Sequence, residues 1–191
     1  MNIKIVREQL GHLPAHEEIS IAFEVERVLD LTVVDSGLGG LVLRERKLAS
    51  PYVKDYDSIG GNRPSDWSNR FDMTNWAFLS AWIDDRRAGG AVIAFKTKGL
   101  DMLERREDLA VIWDLRVAPD LRGRGLGFAL FAAVEKWAKA QGCQQLKVET
   151  QNVNVAACRF YARQGFSLGG IYRFAYPSLP QEIQLMWYKD I

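Results

Sequence analysis

Between an apolar run and an amphipathic stretch the chain carries Arg122-Gly123-Arg124-Gly125-Leu126-Gly127. Residues without side chains let the main chain approach a ligand, and consecutive N–H groups can converge on one concavity. A helix opening at Leu126 adds unpaired N–H groups and the positive end of its dipole. The turn therefore suits an anion such as pyrophosphate, with Arg122 and Arg124 as supplementary cations. A plain tight turn with solvated arginines accounts for the same glycines equally well. The spacing is G-x-G-x-G, not G-x-G-x-x-G, and it follows a late strand, so a dinucleotide fingerprint does not fit. No Gly-Lys-Ser/Thr follows, which excludes a P-loop.

A second constellation runs from Glu149 to Tyr161. If Asn154 opens a helix, its side chain either caps that helix or turns outward to a ligand. Asn154, Cys158 and Tyr161 are spaced by four and three residues and share one helical face. Taken singly, Asn154 reads as an N-cap, Cys158 as a small core residue, Tyr161 as a half-buried aromatic and Phe160 as core.

Periodicity supplies the elements around them. Alternation marks a strand over 19–28; a Gly-rich turn at 35–40 leads to a second strand over 41–46 and a hairpin. Residues 50–75, rich in Pro, Gly, Asp, Asn and aromatics, read as a long functional loop with one helical turn. Residues 76–83 and 91–95 form a hairpin about a turn at 84–90. A nearly continuous apolar strand over 110–117 belongs near the middle of a sheet, and Pro119 ends it. Leu126, Leu130, Phe131, Val134, Trp137 and Ala138 form a helical stripe closed by Gly142. Then come a strand over 145–150, a helix over 155–163 stopped by Gly165, and strands over 168–174 and 181–188. The order gives a mixed sheet with helices on its faces, an α/β (α+β) domain.

Composition narrows the function. The chain has 191 residues, a net charge of +1 and 48% hydrophobic residues, an ordinary globular mix. A near-neutral balance offers no electrostatic footprint for nucleic acid or an anionic membrane. Two cysteines without C-x-x-C spacing, Cys143 and Cys158, supply neither a disulfide framework nor a metal knuckle. His12 and His16 are the only histidines, so no metal centre and no Ser-His triad is expected. The first ten residues carry no apolar signal core and no run approaches a membrane span. A soluble, cytoplasmic protein is expected.

Together the two constellations resemble the GNAT superfamily of acyl-CoA-dependent N-acetyltransferases. The resemblance rests on residues 115–127, with the R-G-R-G-L-G turn, and on 154–166, which read N-x-x-A-C-x-F-Y-x-x-x-G-F. A closer likeness is to streptothricin acetyltransferases, in Phe23-Glu24-Val25, Pro51-Tyr52-Val53-Lys54-Asp55-Tyr56, Glu149-Thr150-Gln151 and the ending from Glu182-Ile183 to Trp187-Tyr188. The sequence departs from them in a mixed rather than acidic stretch at 57–69, and in Trp113-Asp114 where those relatives carry Glu-Asp.

The resemblance implies one GNAT-like domain over 1–191, with N-terminal strands and substrate loop in 1–75 and an acyl-CoA core in 76–191. Acetyl-CoA would lie in a cleft between two central strands, the main chain of 115–117 (Leu115, Arg116, Val117) on its pantetheine arm. The turn Arg122, Gly123, Arg124, Gly125, Leu126, Gly127 would hold the pyrophosphate, and Asn154 and Tyr161 would also touch the cofactor. An acceptor amine attacks the thioester directly, with Glu149 or Asp114 as proton acceptor and Tyr161 as general acid to the thiolate. A ping-pong route through Cys158 is the lesser alternative. Tyr52, Tyr56, Asp57, Trp76 and Trp113 would receive a small cationic amine such as a streptothricin-type antibiotic, aromatic faces and carboxylates together favouring an ammonium. A non-catalytic acyl-CoA-binding module, or an enzyme acting on a protein amine, remains the rival. A monomer or a homodimer is compatible with the open sheet edges.

Overall fold

A computed structural model describes residues 2–191; Met1 lies outside the described residues. In chain order the elements are β1 (Ile3–Glu8), α1 (Leu13–Glu17), β2 (Phe23–Val33), β3 (Leu41–Lys54), β4 (Ala77–Ile83), β5 (Arg86–Ala94), β6 (Leu109–Val117), α2 (Leu126–Ala140), β7 (Gln145–Gln151), α3 (Val155–Arg163), β8 (Ser167–Tyr172) and β9 (Gln184–Asp190). Contacts group the chain into two units that do not follow sequence order. One takes the N-terminal stretch to Ala22, Asp55–Val148 and Tyr188–Ile191; the other takes Phe23–Lys54 and Glu149–Trp187.

In the first unit the strand order is β1-β4-β5-β6-β7. All neighbours are antiparallel except β6 and β7, which run parallel from Leu109↔Gln145 to Ile112↔Val148. A parallel pair needs a crossover, and α2 supplies it. Its stripe Leu126, Leu130, Phe131, Val134, Trp137 and Ala138 is buried, as the spacing requires. A separate apolar cluster gathers Leu13, Trp67, Met73, Trp76, Phe78, Val92, Leu103 and Val111.

The second unit holds the antiparallel hairpin β2–β3, α3, and the end of β7 followed by β9 and then β8. Its core includes Val25, Val28 and Val153, with Phe23 and Leu48 against them.

The structure moves several expected boundaries. β1 was not anticipated, because its six residues mix Lys4, Arg7 and Glu8 with the apolar ones; pairing with β4 from Ile3↔Ile83 to Glu8↔Phe78 makes it a strand. The strand expected from residue 19 begins at Phe23. β3 runs on through Pro51, a residue that edge strands tolerate. The 84–90 turn is far tighter: Gly89 and Gly90 lie inside β5. They are there for close approach, since a Cβ on Gly89 would come 2.8 Å from the Arg116 carbonyl oxygen and one on Gly90 2.6 Å from His16 Nδ1.

Candidate active site

Gly123 and Gly125 sit at φ +75° and +88°, a region L side chains rarely adopt, and Gly125 is the N-cap of α2. A Cβ at either would meet nothing within 4 Å, so the space over the turn is open. α2 has no side-chain cap. Among the described residues no backbone acceptor takes the N–H groups of 123–125. Unsatisfied donors at the positive end of a helix make an anion cradle. Arg124 is exposed next to it, and Leu126 is buried beneath it.

Arg122 is used differently from the expectation. Its guanidinium donates to the main-chain carbonyls of Val117 (3.1 Å), Ala22 (2.7 Å) and Ser20 (2.8 Å). It latches the turn to residues 20–22, and those bonds, not a phosphate, satisfy most of its fork.

β6 pairs with β7 only as far as Ile112. From Trp113 to Val117 that edge carries no ladder among the described residues. The register against β5 slips between Val92 and Ile93, which face Asp114 and Ile112. Trp113 is the extra residue of a bulge, a device that unpairs main-chain groups and re-aims side chains. Leu115 and Val117 are half-buried on this stretch, while Asp114 and Arg116 are buried, on the opposite face by strand alternation.

Those two anchor an ionic network. Asp114 Oδ1 accepts from His16 Nε2 at 2.8 Å and Arg116 Nε at 3.0 Å, and Oδ2 accepts from Arg116 at 2.6 Å. Arg116 also donates to Asp57 (2.8 and 3.2 Å) and to the Ile19 carbonyl (3.1 Å). All five guanidinium N–H groups are thereby satisfied. Burial opposes the charge on Asp114, but Arg116 and the His16 hydrogen bond outweigh it and hold its pKa far below the ordinary carboxylate range. A carboxylate so held has little affinity for another proton, which speaks against Asp114 as a base. Asp57, expected to receive an ammonium, is already bound to Arg116.

Trp76 corrects a second expectation. It is 3% exposed, its ring stacks on Phe71 at 5.8 Å, and its Nε1 donates to Thr97 Oγ1 at 2.6 Å. It is core and offers no face to an acceptor. Trp113 lies 5.4 Å from it and is half-buried; Tyr56, also half-buried, opens the turn at 56–59.

The second unit holds the remaining candidates. Asn154 is the N-cap of α3, its Oδ1 accepting from Ala157 N–H at 3.1 Å. Tyr161 is buried on the same helix, its ring edge-on to Phe166 at 5.4 Å and Phe160 at 5.1 Å. Cys158 is buried, lies 3.2 Å from Thr150 Oγ1, and burial pushes its thiol up to about 11. Glu149 is half-buried, receiving Gln184 Nε2 at 2.8 Å, Gln151 Nε2 at 3.0 Å and the Tyr176 hydroxyl. Tyr52 is 41% exposed on β3.

A family model described as the acetyltransferase (GNAT) family matches residues 46–166, more than half of the chain. The chain belongs to the GNAT acetyltransferase family. A streptothricin acetyltransferase from Escherichia coli is 32% identical over 98% of this chain and 95% of its own. Nourseothricin acetyltransferase shares the fold with a TM-score of 0.77 at 24% identity, covering 100% of this chain and 99% of that one. A Bacillus anthracis protein described as a candidate streptothricin acetyltransferase, solved with acetyl coenzyme A, gives 0.75 at 25% identity and full coverage of both chains. This GNAT protein is thus an acetyl-CoA-dependent N-acetyltransferase close to the streptothricin acetyltransferases. No helix among its described residues is long and apolar enough to cross a membrane.

Sequence reasoning missed two residues of this GNAT enzyme. His16 is fully buried, its Nδ1 without a partner among the described residues; a lone histidine before a loop gave no spacing to read. Tyr176 stands beside Pro177 between two strands, where no periodic pattern marks it, although two consecutive turns fix it, Leu179 N–H to the Tyr176 carbonyl and Glu182 N–H to that of Leu179.

Proposed function

We propose that the enzyme acetylates a primary amine of a small cationic acceptor of the streptothricin type, by direct transfer from acetyl-CoA. The observation that carries the proposal is the open turn at 123–127, whose main-chain donors suit a diphosphate. The near full-length likeness to a streptothricin acetyltransferase supports the acceptor class. Acetyl-CoA supplies a thioester whose carbonyl carbon the amine attacks.

In this reading the main chain of Leu115, Arg116 and Val117 aligns the pantetheine arm along the unladdered edge of β6. A main-chain N–H released by the bulge at Trp113 faces the developing oxyanion. Gly123, Arg124, Gly125, Leu126 and Gly127 hold the diphosphate, and Asn154 has its amide nitrogen left for the cofactor. Arg122 shapes the turn from behind.

An alkylamine with a pKa of about 10.4 is mostly ammonium at neutral pH, so a proton must leave before attack. Glu149 takes that role, because Asp114 is committed to Arg116 and His16. Tyr161 protonates the departing thiolate, whose conjugate acid has a pKa of about 8.5. Direct transfer is favoured over an acetyl-cysteine because the Cys158 thiol, pushed up to about 11, stays protonated at neutral pH. Tyr52, Tyr56 and Trp113 are the acceptor-facing aromatics. The enzyme works in the cytoplasm, where acetyl-CoA is available, as a monomer or homodimer.

The test is free-thiol release from acetyl-CoA across streptothricin, aminoglycosides, polyamines and peptide N-termini. Release with streptothricin or another small polyamine is the expected result. Release with peptide N-termini alone, or binding without release, would overturn the proposal.

A further inference from the structure

Every other glutamate of the described residues that is not exposed has a cation against it: Glu8 with Arg87, Glu17 with Arg63, Glu45 with Arg27, Glu135 with Lys189 and Glu182 with Lys54. Glu149 is half-buried and, among the described residues, has none within ion-pair distance; neutral groups hold it. The Tyr176 hydroxyl donates to its Oε1, Gln151 Nε2 donates to that oxygen at 3.0 Å and to the Tyr176 oxygen at 2.9 Å, and Gln184 Nε2 donates to Oε2 at 2.8 Å. Such a carboxylate is held in one orientation while no cation cancels its charge, the arrangement required of a group that meets an ammonium and takes its proton.

We propose that Tyr176 is a positioning residue for the reaction, fixing Glu149 through its hydroxyl on a platform of two proline turns. The proposal rests on the reading of Glu149 as proton acceptor. Pro177 and Pro180 occupy the second positions of the turns that Leu179 and Glu182 close, where a preset φ stiffens the main chain. Gln151 ties the phenol and the carboxylate into one triangle, so the Tyr176 ring and Glu149 move as a unit. Glu149 takes the proton of the ammonium; the freed amine nitrogen then forms its bond to the acetyl carbon as the carbon–sulfur bond breaks. Tyr161 protonates the departing sulfur and the nitrogen's second proton replaces the one Tyr161 gave up, while the Tyr176 phenol keeps its own proton throughout.

Few other titratable groups bear on Glu149. On its own strand Lys147 is taken up by Glu104 at 2.7 Å. Where Ile183 N–H meets Asn152 Oδ1, Glu182 is held by Lys54 at 2.5 Å. Thr150 and Cys158 face each other, with Trp187 Nε1 on Thr150. Among the described residues Tyr176 is the one titratable side chain that hydrogen-bonds Glu149.

The experiment compares wild type, Tyr176→Phe, Gln184→Met and Glu149→Gln by acetyl-CoA thiol release, with the amine that serves as acceptor. Losing a donor that aims the carboxylate should lower kcat for the amine by about 10-fold in Tyr176→Phe. Gln184→Met should lower it the same way, and the KM for acetyl-CoA should stay unchanged in both. A kcat that does not fall in either variant, with Glu149→Gln inactive, overturns the role of Tyr176 and leaves Glu149 standing. Full activity of Glu149→Gln overturns Glu149 as proton acceptor and this inference with it.

Discussion

His16 and Asp114, 98 positions apart, meet through a 2.8 Å hydrogen bond with both side chains buried. Arg116 completes the arrangement on the other oxygen and reaches on to Asp57 and Ile19. Arg122 grips Ser20 and Ala22 a few residues away. Two arginines thus fasten residues 19–22 to β6 and to the start of the glycine turn within one unit.

Arg116→Met should therefore be severely destabilising. Removing one partner leaves Asp114 and Asp57 without their cation, and such a break costs about 3–5 kcal/mol. The comparison is Arg86→Met, whose pair with Asp120 is exposed on both sides and whose loss should leave stability almost unchanged, because solvent screens such a pair. Urea unfolding of the two variants gives the difference.

Acid stability should depend on Glu8. Burial opposes its charge, but the Arg87 fork and the Ser80 and His12 hydrogen bonds lower its pKa from 4.5 to about 2. A carboxyl depressed in the folded state contributes stability that is full above its unfolded value and is lost as pH falls through the folded one. The loss should fall between pH 4.5 and about 2. Glu8→Gln should be less stable than wild type at pH 6, and the gap should close across that window in a pH series of urea melts.

Most elements that carry chemistry were legible in the sequence. α3 ends where its spacing and Gly165 say it should, and α2 buries the stripe read from its periodicity, because local pattern alone decides those helices. The glycine turn was legible because a positive φ leaves a mark on residue type. Side-chain employment was not. Arg122, Asp57 and Trp76 have residue types that suit a ligand, and tertiary partners from residues 20–22, Arg116 and Thr97 engage them. Spacing along one strand cannot report a partner 59 residues away, and the paired glycines of β5 imitate a turn when they serve close packing.

Tyr161→Phe should lower turnover by about 100-fold or more while acetyl-CoA affinity is almost kept, since only a proton donor used in the transition state is removed. The ring packing against Phe166 and Phe160 is preserved by phenylalanine, so thermal unfolding should be unchanged. Steady-state kinetics with a saturating amine gives the kcat ratio; unchanged turnover would withdraw the general-acid role.

The central claim is that the main-chain donors of 123–127 grip the diphosphate of acetyl-CoA. Calorimetric titration of acetyl-CoA into wild type and into Gly125→Glu, side by side, tests it most directly. The substitution sets a carboxylate at the helix N-terminus, at a φ of +88° and in open space that the ligand would otherwise occupy. The account predicts clear binding by wild type and a loss of at least about 100-fold in the variant, while the fold persists. Equal affinity in the two proteins would contradict it.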